Sequence, residues 1–404
     1  MGGGLVQLVS NKSEDTTYLI GNPEISCFQI IYRRHTNFAI ESQEVKFISD
    51  PIIGTKITAF IPKDADLCSK MYLEVILPTV NGSSNQYIYG VGNALLKEIS
   101  IDIGGTIIDT HYNQWLNIWS ELTIPCNKRE AYDRMVGNKP NNDFTGGSAN
   151  RLYIPLMFWF NNNISMALPL LALQNNLIKL HIQFASYSEL TFNGTISDAS
   201  NEFSCKLYID YIFLDNDERV RLSAIPHEYL IEQVQFSGDT LITSDDSNKK
   251  KIIEINAERP IKELIWVHLT NSSNEKLKYS ADIYTNAKIN INGFSRFIER
   301  EPSYFRLCQN YQCHTNIPRI TPYIKSQSGN FDTNTIPYNQ YIYTYSFALK
   351  PEDYQPSGHC NFSKIDKSTL VIEYPTISTN YTLKLFATNY NILRFAGGSA
   401  TLIF

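Results

Sequence analysis

The sequence carries no surplus of positive charge: 35 Lys and Arg stand against 40 Asp and Glu, for a net charge of −5 over 404 residues. Proteins that wrap nucleic acid by neutralising phosphates are ordinarily basic, so direct nucleic-acid binding is not expected. No apolar run approaches the ~18 residues that cross a bilayer as a helix. The opening stretch, "MGGGLVQLVSNKSED", has neither a basic leading region nor a long apolar core and does not read as a signal peptide. It approaches a myristoylation signal and fails it, because Val6 stands where Ser or Thr is required. The seven cysteines, from Cys27 to Cys360, are odd in number and widely spaced. They suggest no disulfide framework, and reduced thiols in a cytosolic setting are expected. Seven N-x-S/T sequons, at Asn11, Asn81, Asn163, Asn193, Asn271, Asn361 and Asn380, read as chance products of an Asn-rich chain that lacks a secretory leader.

Catalytic motifs are equally scarce. Neither GxxxxGK[ST] nor GxSxG occurs. "GVGNAL" (Gly90–Leu95) begins like a dinucleotide fingerprint but lacks the third glycine. "HEYLIEQ" (His227–Gln233) begins like a zinc-protease motif but has Ile231 where the second His belongs. "CQNYQCH" (Cys308–His314) with His359 and Cys360 makes a conceivable four-ligand zinc set. The plainer reading, loop residues with free thiols, is preferred. "YRRHTNF" (Tyr32–Phe38) reads as a source of ion pairs between domains or subunits rather than a phosphate site, since Arg favours planar, bidentate contacts. His181 falls on the polar face of a strand and is expected to be solvated, and His111 is expected to open a helix at the surface. No nucleophile, base and orienter come together. No catalytic, cofactor-binding or metal-binding residue is assigned.

What is abundant is aromatic. Phe, Trp and Tyr make up 12% of the chain, with 25 Tyr and 21 Phe, and such side chains suit a pleated surface. "LIKLHIQF" (Leu177–Phe184) alternates Ile178, Leu180, Ile182 and Phe184 with Lys179, His181 and Gln183, the period of a half-buried strand. Similar runs lie at Lys70–Pro78, Leu152–Phe160, Lys206–Leu214, Glu263–Leu269, Ser368–Tyr374 and Tyr381–Ala387, separated by turn clusters such as "NGSSN", "IGGT", "NNDFTGGSAN", "FNGT" and "QPSG". Only His111–Leu122 reads clearly as helix, with Trp115, Trp119 and Leu122 on one stripe, and Asn127–Gly137 adds a turn or two. A charged connector, Leu214–Tyr229, falls near the middle. Each half then holds about eight strands, the count of a jelly roll, so the fold class is all-β.

Several long stretches add a resemblance. "GNPEISCFQIIYRRHTNFAIES", "IDIGGTIIDTHYNQWLNIWSELT", "YDRMVGNKP", "IPLMFWF", "ALPLLALQNNLIKLHIQF", "HEYLIEQVQF", "IKELIWV" and "YSFALKPEDYQPSGHCNFSKID" occur in this order. Together they resemble the major capsid proteins of iridoviruses, algal viruses and giant viruses over nearly the whole chain. The resemblance implies a double jelly roll, two eight-stranded antiparallel β-sandwiches with short helical excursions. It implies an N-terminal arm at residues 1–22, a first jelly roll at 23–217, a linker at 218–225 and a second jelly roll at 226–404. It further implies a homotrimer that is nearly hexagonal in outline and tiles an icosahedral shell beside neighbouring trimers. Minor capsid proteins, and an internal membrane approached through the arm, would be its other partners. It would have no enzymatic activity, would need no cofactor, and would be assembled in the host cytoplasm into the virion.

The closing motif of that family reads much like "YSFALKPEEHQPSGTCNFSRID". This chain has Tyr354 where His is usual and His359 where Thr is usual. A catalytic His would not come and go in that way, so the stretch is expected to be architecture: a strand at Tyr345–Leu349, then a loop at Lys350–Phe362. Pro351 and Pro356 stiffen that loop and Gly358 permits a tight turn. Glu352 and Asp353 are expected in solvent or paired with a neighbouring subunit. Two alternatives stand beside the shell subunit: a minor capsid paralogue that co-assembles with the main protein, and a glycan-binding or glycan-cleaving double sandwich, which would need an aromatic platform with paired carboxylates.

Overall fold

Alternation of apolar and polar side chains sets the architecture. The computed structural model describes residues 2–12, 14–78, 86–138, 150–192, 203–270, 277, 279, 281–319 and 340–404. The sequons at Asn81, Asn193 and Asn271 lie outside the described residues. Eight strands make the two main sheets of the first half among the described residues: β1 (Phe38–Val45), β2 (Lys56–Phe60), β3 (Leu67–Leu77), β4 (Leu96–Ile103), β5 (Thr106–Tyr112), β6 (Asn150–Pro155), β7 (Ile178–Phe184) and β8 (Ser204–Leu214); two-residue strands at Gln86–Tyr87, Leu168–Pro169 and Thr191–Phe192 flank them. Eight more carry the same path in the second: β9 (His227–Ile242), β10 (Lys250–Glu254), β11 (Pro260–Thr270), β12 (Asn286–Ile291), β13 (Phe294–Ser295), β14 (Tyr343–Ser346), β15 (Ser368–Glu373) and β16 (Tyr381–Ala396); Cys360–Asn361 and Ser399–Leu402 add short strands to β11 and β16.

The two halves repeat one topology. The first pairs its strands as β1-β8-β3-β6 and β2-β7-β4-β5, and the second as β9-β16-β11-β14 and β10-β15-β12-β13. Adding eight to each strand number of the first half gives the second. All these pairings are antiparallel. Each pair of sheets encloses a core. In β3, Met71, Leu73, Val75 and Leu77 point inward among Ile99, Ile101, Leu180 and Ile182 of the facing sheet. In β11, Leu264 and Trp266 point inward among Ile289, Leu370 and Ile372. The "IGGT" turn closes β4 onto β5 with Gly104 and Gly105 at φ of 65° and 89°, the left-handed geometry that matches the twist of a two-residue hairpin.

Helices fill the connections. Residues 2–37 form a unit of their own: a helix α1 (Gly3–Ser10), short turns at Glu14–Thr16 and Thr17–Ile20, and chain without regular structure to Asn37. Two helices, α2 (Asn113–Thr123) and α3 (Cys126–Met135), lie between β5 and β6. The charged connector is itself helical, α4 (Asn216–Ala224), with Asp215 accepting a hydrogen bond from the Asn216 amide at its start. A helical segment at Tyr304–Cys313, one π turn followed by one α turn, lies between β13 and β14.

Candidate functional site

Aromatic and charged contacts concentrate at the seam where α2 crosses from the first sandwich onto the second. Trp115, Ile118 and Leu122 pack on the outer face of the second sandwich, against Ile265, Val267 and Leu269 of β11 and Phe386 of β16. Trp115 stacks on Trp119 at 5.2 Å and tilts against Phe386 at 5.7 Å. As a result β11 is covered on both faces, and every residue from Ile261 to Leu269 is buried.

Polar groups stitch the seam. Glu121 is buried in α2 and pairs with Arg129 of α3 and with Arg319, whose Nη2 lies 2.7 Å from Oε1 and whose Nε lies 3.1 Å from Oε2. Asp133 closes the network, 2.6 Å from Arg319 Nη1 and 3.2 Å from Arg129 Nε. Burial pushes the Glu121 carboxyl up, but the two guanidinium groups outweigh it and hold it below the usual carboxylate range. The Asn117 amide donates to the Tyr279 hydroxyl at 3.1 Å, and that hydroxyl donates to the Gln114 carbonyl at 3.2 Å. The Val234 amide of β9 donates to Asp109 of β5 at 3.0 Å, and Gln233 donates to the Ile108 carbonyl. His111 lies in β5 rather than opening a helix, is buried, and sits 2.9 Å from Asp109. The helix begins two residues later, at Asn113.

A second charged cluster lies where β11 begins. Lys262 is fully buried, with Nζ 2.6 Å from Glu232 and 2.6 Å from the Pro351 carbonyl. Beside it, His314 sits between two carboxylates, Nε2 3.2 Å from Glu263 and Nδ1 2.9 Å from Glu352. Burial lowers the tendency of the ring to carry charge, but the field of Glu263 and contact with Glu352 outweigh it and raise its pKa to about 9. The Thr315 amide also donates to Glu352, at 3.0 Å. Glu352 is therefore paired within its own chain, which corrects the expectation of solvent or a neighbouring subunit; a contact 38 residues away leaves no mark on local pattern.

These positions dispose of the motif fragments. His314 faces carboxylates, Cys308 is exposed on a helix rather than in a loop, and among the described residues no group of three or more His, Cys, Asp or Glu could hold a metal. Gly90–Leu95 is buried at a strand entry, and His227–Gln233 begins β9. Tyr32–Phe38 is exposed along its length. His181 is mostly covered and meets Thr58 at 2.9 Å through Nδ1. The closing motif supplies the last two residues of β14, which ends at Ser346 rather than Leu349, then a loop, and the pair Cys360–Asn361, which bonds to Pro260–Ile261 of β11. Sequence reading missed Glu121, Arg319 and Glu263; the signal for the first was a carboxylate beside Leu122 of the apolar stripe.

The outer face of the first sandwich is different. Tyr72 of β3 and Tyr208 of β8 stack at 5.2 Å, and Tyr153 of β6 tilts against Tyr72 at 6.4 Å. Tyr72 and Tyr153 floor an open groove of about 650 Å³, walled by Trp119 and Ile124 at α2 and Met135 of α3, with Asp210 at its rim.

Two sandwiches of identical strand order, joined by an internal seam, define a double jelly-roll protein. Two family models agree: the major capsid protein N-terminus matches residues 26–215, and the large eukaryotic DNA virus major capsid protein matches residues 218–401. The chain is 40% identical to the major capsid protein of Pyramimonas orientalis virus, with the whole of both chains covered. It superposes on the VP54 protein of PBCV-1, in the crystal structure fitted into a reconstruction of the virophage Sputnik, with a TM-score of 0.79 and 31% identity over 94% of this chain and 100% of that one. The Faustovirus major capsid protein shares the fold at 12% identity, with a TM-score of 0.72 over 92% of this chain and 93% of that one. The chain belongs to the major capsid protein family of large eukaryotic DNA viruses.

Proposed function

We propose that this chain assembles into homotrimeric capsomers of nearly hexagonal outline, and that these tile an icosahedral shell. One observation carries the reading: two sandwiches of the same strand order stand in one chain. Three copies then present six similar wedges, and a three-fold object fills a six-fold lattice position. Contacts inside the capsomer are the large, obligate ones, and contacts between capsomers are the weaker ones that allow lattice growth. The working division is an arm at 1–22, a first jelly roll at 23–217, a linker at 218–225 and a second jelly roll at 226–404. Its support is that the sheets of the two halves share no strand. The arm, with Leu5, Leu8 and Leu19 uncovered, suits contacts with minor capsid proteins or the surface of an internal membrane. The role is structural, with no catalytic step, no cofactor and no direct nucleic-acid contact.

The test is solution mass by light scattering coupled to size exclusion under reducing conditions. A mass of three times 46.2 kDa, unchanged on dilution, is expected. A stable monomer would overturn the self-sufficient capsomer and leave the minor paralogue that waits for a partner.

A further inference from the structure

We infer that the tyrosine-floored groove on the first sandwich receives the helical segment Tyr304–Cys313 of a second copy, so that the seam inside the chain is repeated between chains. The inference rests on the trimeric reading and names its contact.

The internal repeat carries the argument. Within the chain, α2 leaves the fifth strand and returns to the sixth, and it lies on the outer face of β11 and β16. Its other flank is bounded by the chain that enters β14: the Asn316 amide donates to the Leu122 carbonyl at 3.0 Å, and Arg319 pairs with Glu121. So α2 fills a trough between a sheet face and that sandwich's own connection into its sixth strand. The first sandwich has the equivalent trough. Its floor is the outer face of β3, β6 and β8, and its wall is α2 and α3, the connection into β6. Among the described residues that trough is open. Where β11 is buried on both faces, β3 is buried on one, with Lys70, Tyr72 and Glu74 facing outward.

The element equivalent to α2 is Tyr304–Cys313, which leaves the thirteenth strand and returns to the fourteenth. Its inner face is anchored. Phe305 packs edge-on against Trp266 at 5.0 Å, and Asn310 accepts from the Thr344 hydroxyl at 2.6 Å. Its outer face is uncovered among the described residues. Leu307 is 38% exposed and Tyr311 78% exposed, one turn apart on the same side, with Cys308 beside them. A tyrosine and a leucine entering a groove of Tyr, Trp, Ile and Met, ringed by Lys70, Asp210 and Asn162, make the aromatic core and polar rim of a specific interface. Donor and acceptor are different surfaces, so the contact is head-to-tail and propagates until it closes on itself. With two like sandwiches per chain, alternating internal and external seams close a six-wedge ring at three copies.

The test uses the native thiol of Cys308. Tyr153→Cys places a partner in the groove, and the full chain is treated with a short bismaleimide and run on a denaturing gel. Covalent dimers and trimers are expected for Tyr153→Cys, falling to background when Cys308→Ser is added. In parallel, Leu307→Asp with Tyr311→Asp is expected to lower the solution mass threefold. If the wild-type chain is a trimer yet no Cys308-dependent cross-link between copies forms, or the double variant stays trimeric, the groove assignment fails while the capsomer reading stands. If the wild-type chain is a monomer, the capsomer reading itself fails. A cross-link confined within single chains overturns the assignment as well.

Discussion

The Nη2 of Arg319 lies 2.7 Å from Oε1 of Glu121 in α2, 198 residues away. This contact fixes one sandwich against the other. Glu121 has only 1% of its side chain exposed, so its charge is tolerable only while Arg129 and Arg319 face it. Glu121→Ala leaves two guanidinium groups with Asp133 alone, and a loss of about 3–5 kcal/mol is expected from breaking such a buried pair. Urea unfolding with an unchanged slope is the measurement. A loss below about 1 kcal/mol would class the network with exposed ion pairs.

Much of this architecture was legible. The period-2 alternation at Ile178–Phe184 placed β7 because it buries one face only, and the stripe of Trp115, Trp119 and Leu122 placed α2. Three features were hidden. Helix α4 has no buried residue, so it leaves no apolar stripe and reads as a polar connector. Tyr304–Gln309 makes a π turn, whose wider spacing escapes a 3.6-residue search. Lys262 and Glu263 look like the wet edge of a strand, yet both are fully buried, because α2 and the loop after β14 close over them. Their partners lie far along the chain, and local pattern does not encode distant partners.

The cluster around His314 makes stability depend on pH. The folded pKa of about 9 exceeds the ordinary 6.5, so protonated His314 stabilises the fold in full below 6.5. That contribution fades as pH rises through about 9. Glu263 is held below its ordinary 4.5: burial opposes its charge, and His314 and Lys262 outweigh burial. Its contribution is complete above 4.5 and lost on further acidification. The facing groups are Glu263, Glu352 and Thr315. Melting temperature should therefore fall between 6.5 and 9, and His314→Gln should flatten that limb while lowering the curve below 6.5. An unchanged limb in the variant would remove His314 from the account.

The thiols sort by burial. Cys68 and Cys205 lie inside the first sandwich, and burial pushes the Cys68 thiol far up and the Cys205 thiol to about 12, so neither forms thiolate under native conditions. Cys27, Cys126 and Cys308 are exposed in the single chain. A thiol-reactive disulfide reagent should label Cys27 and Cys126 at once and reach Cys68 and Cys205 only on unfolding. Cys308 should be labelled rapidly in dissociated copies and slowly in assembled ones. Rapid labelling of Cys68 in the folded protein would contradict the packing of the first core.

Gly358 tests whether the closing motif is architecture. It has φ of 140°, and a Cβ there would lie 2.8 Å from the Phe347 carbonyl oxygen and 3.2 Å from the Ala348 Cα. Both neighbours are backbone of the segment that leaves β14, so neither can swing aside. Gly105 makes the control: its φ is 89°, but a Cβ there meets open space. Gly105→Ala should cost about 1–2 kcal/mol, the penalty of a left-handed backbone alone. Gly358→Ala should cost more, since it adds a backbone collision to that strain and loosens the loop that carries Glu352 to His314. The signature is a larger drop in urea midpoint together with loss of the His314-dependent alkaline limb. Equal costs at the two glycines would mean that the loop yields freely, and that Pro351, Glu352 and Gly358 do not form one rigid clasp over the start of β11.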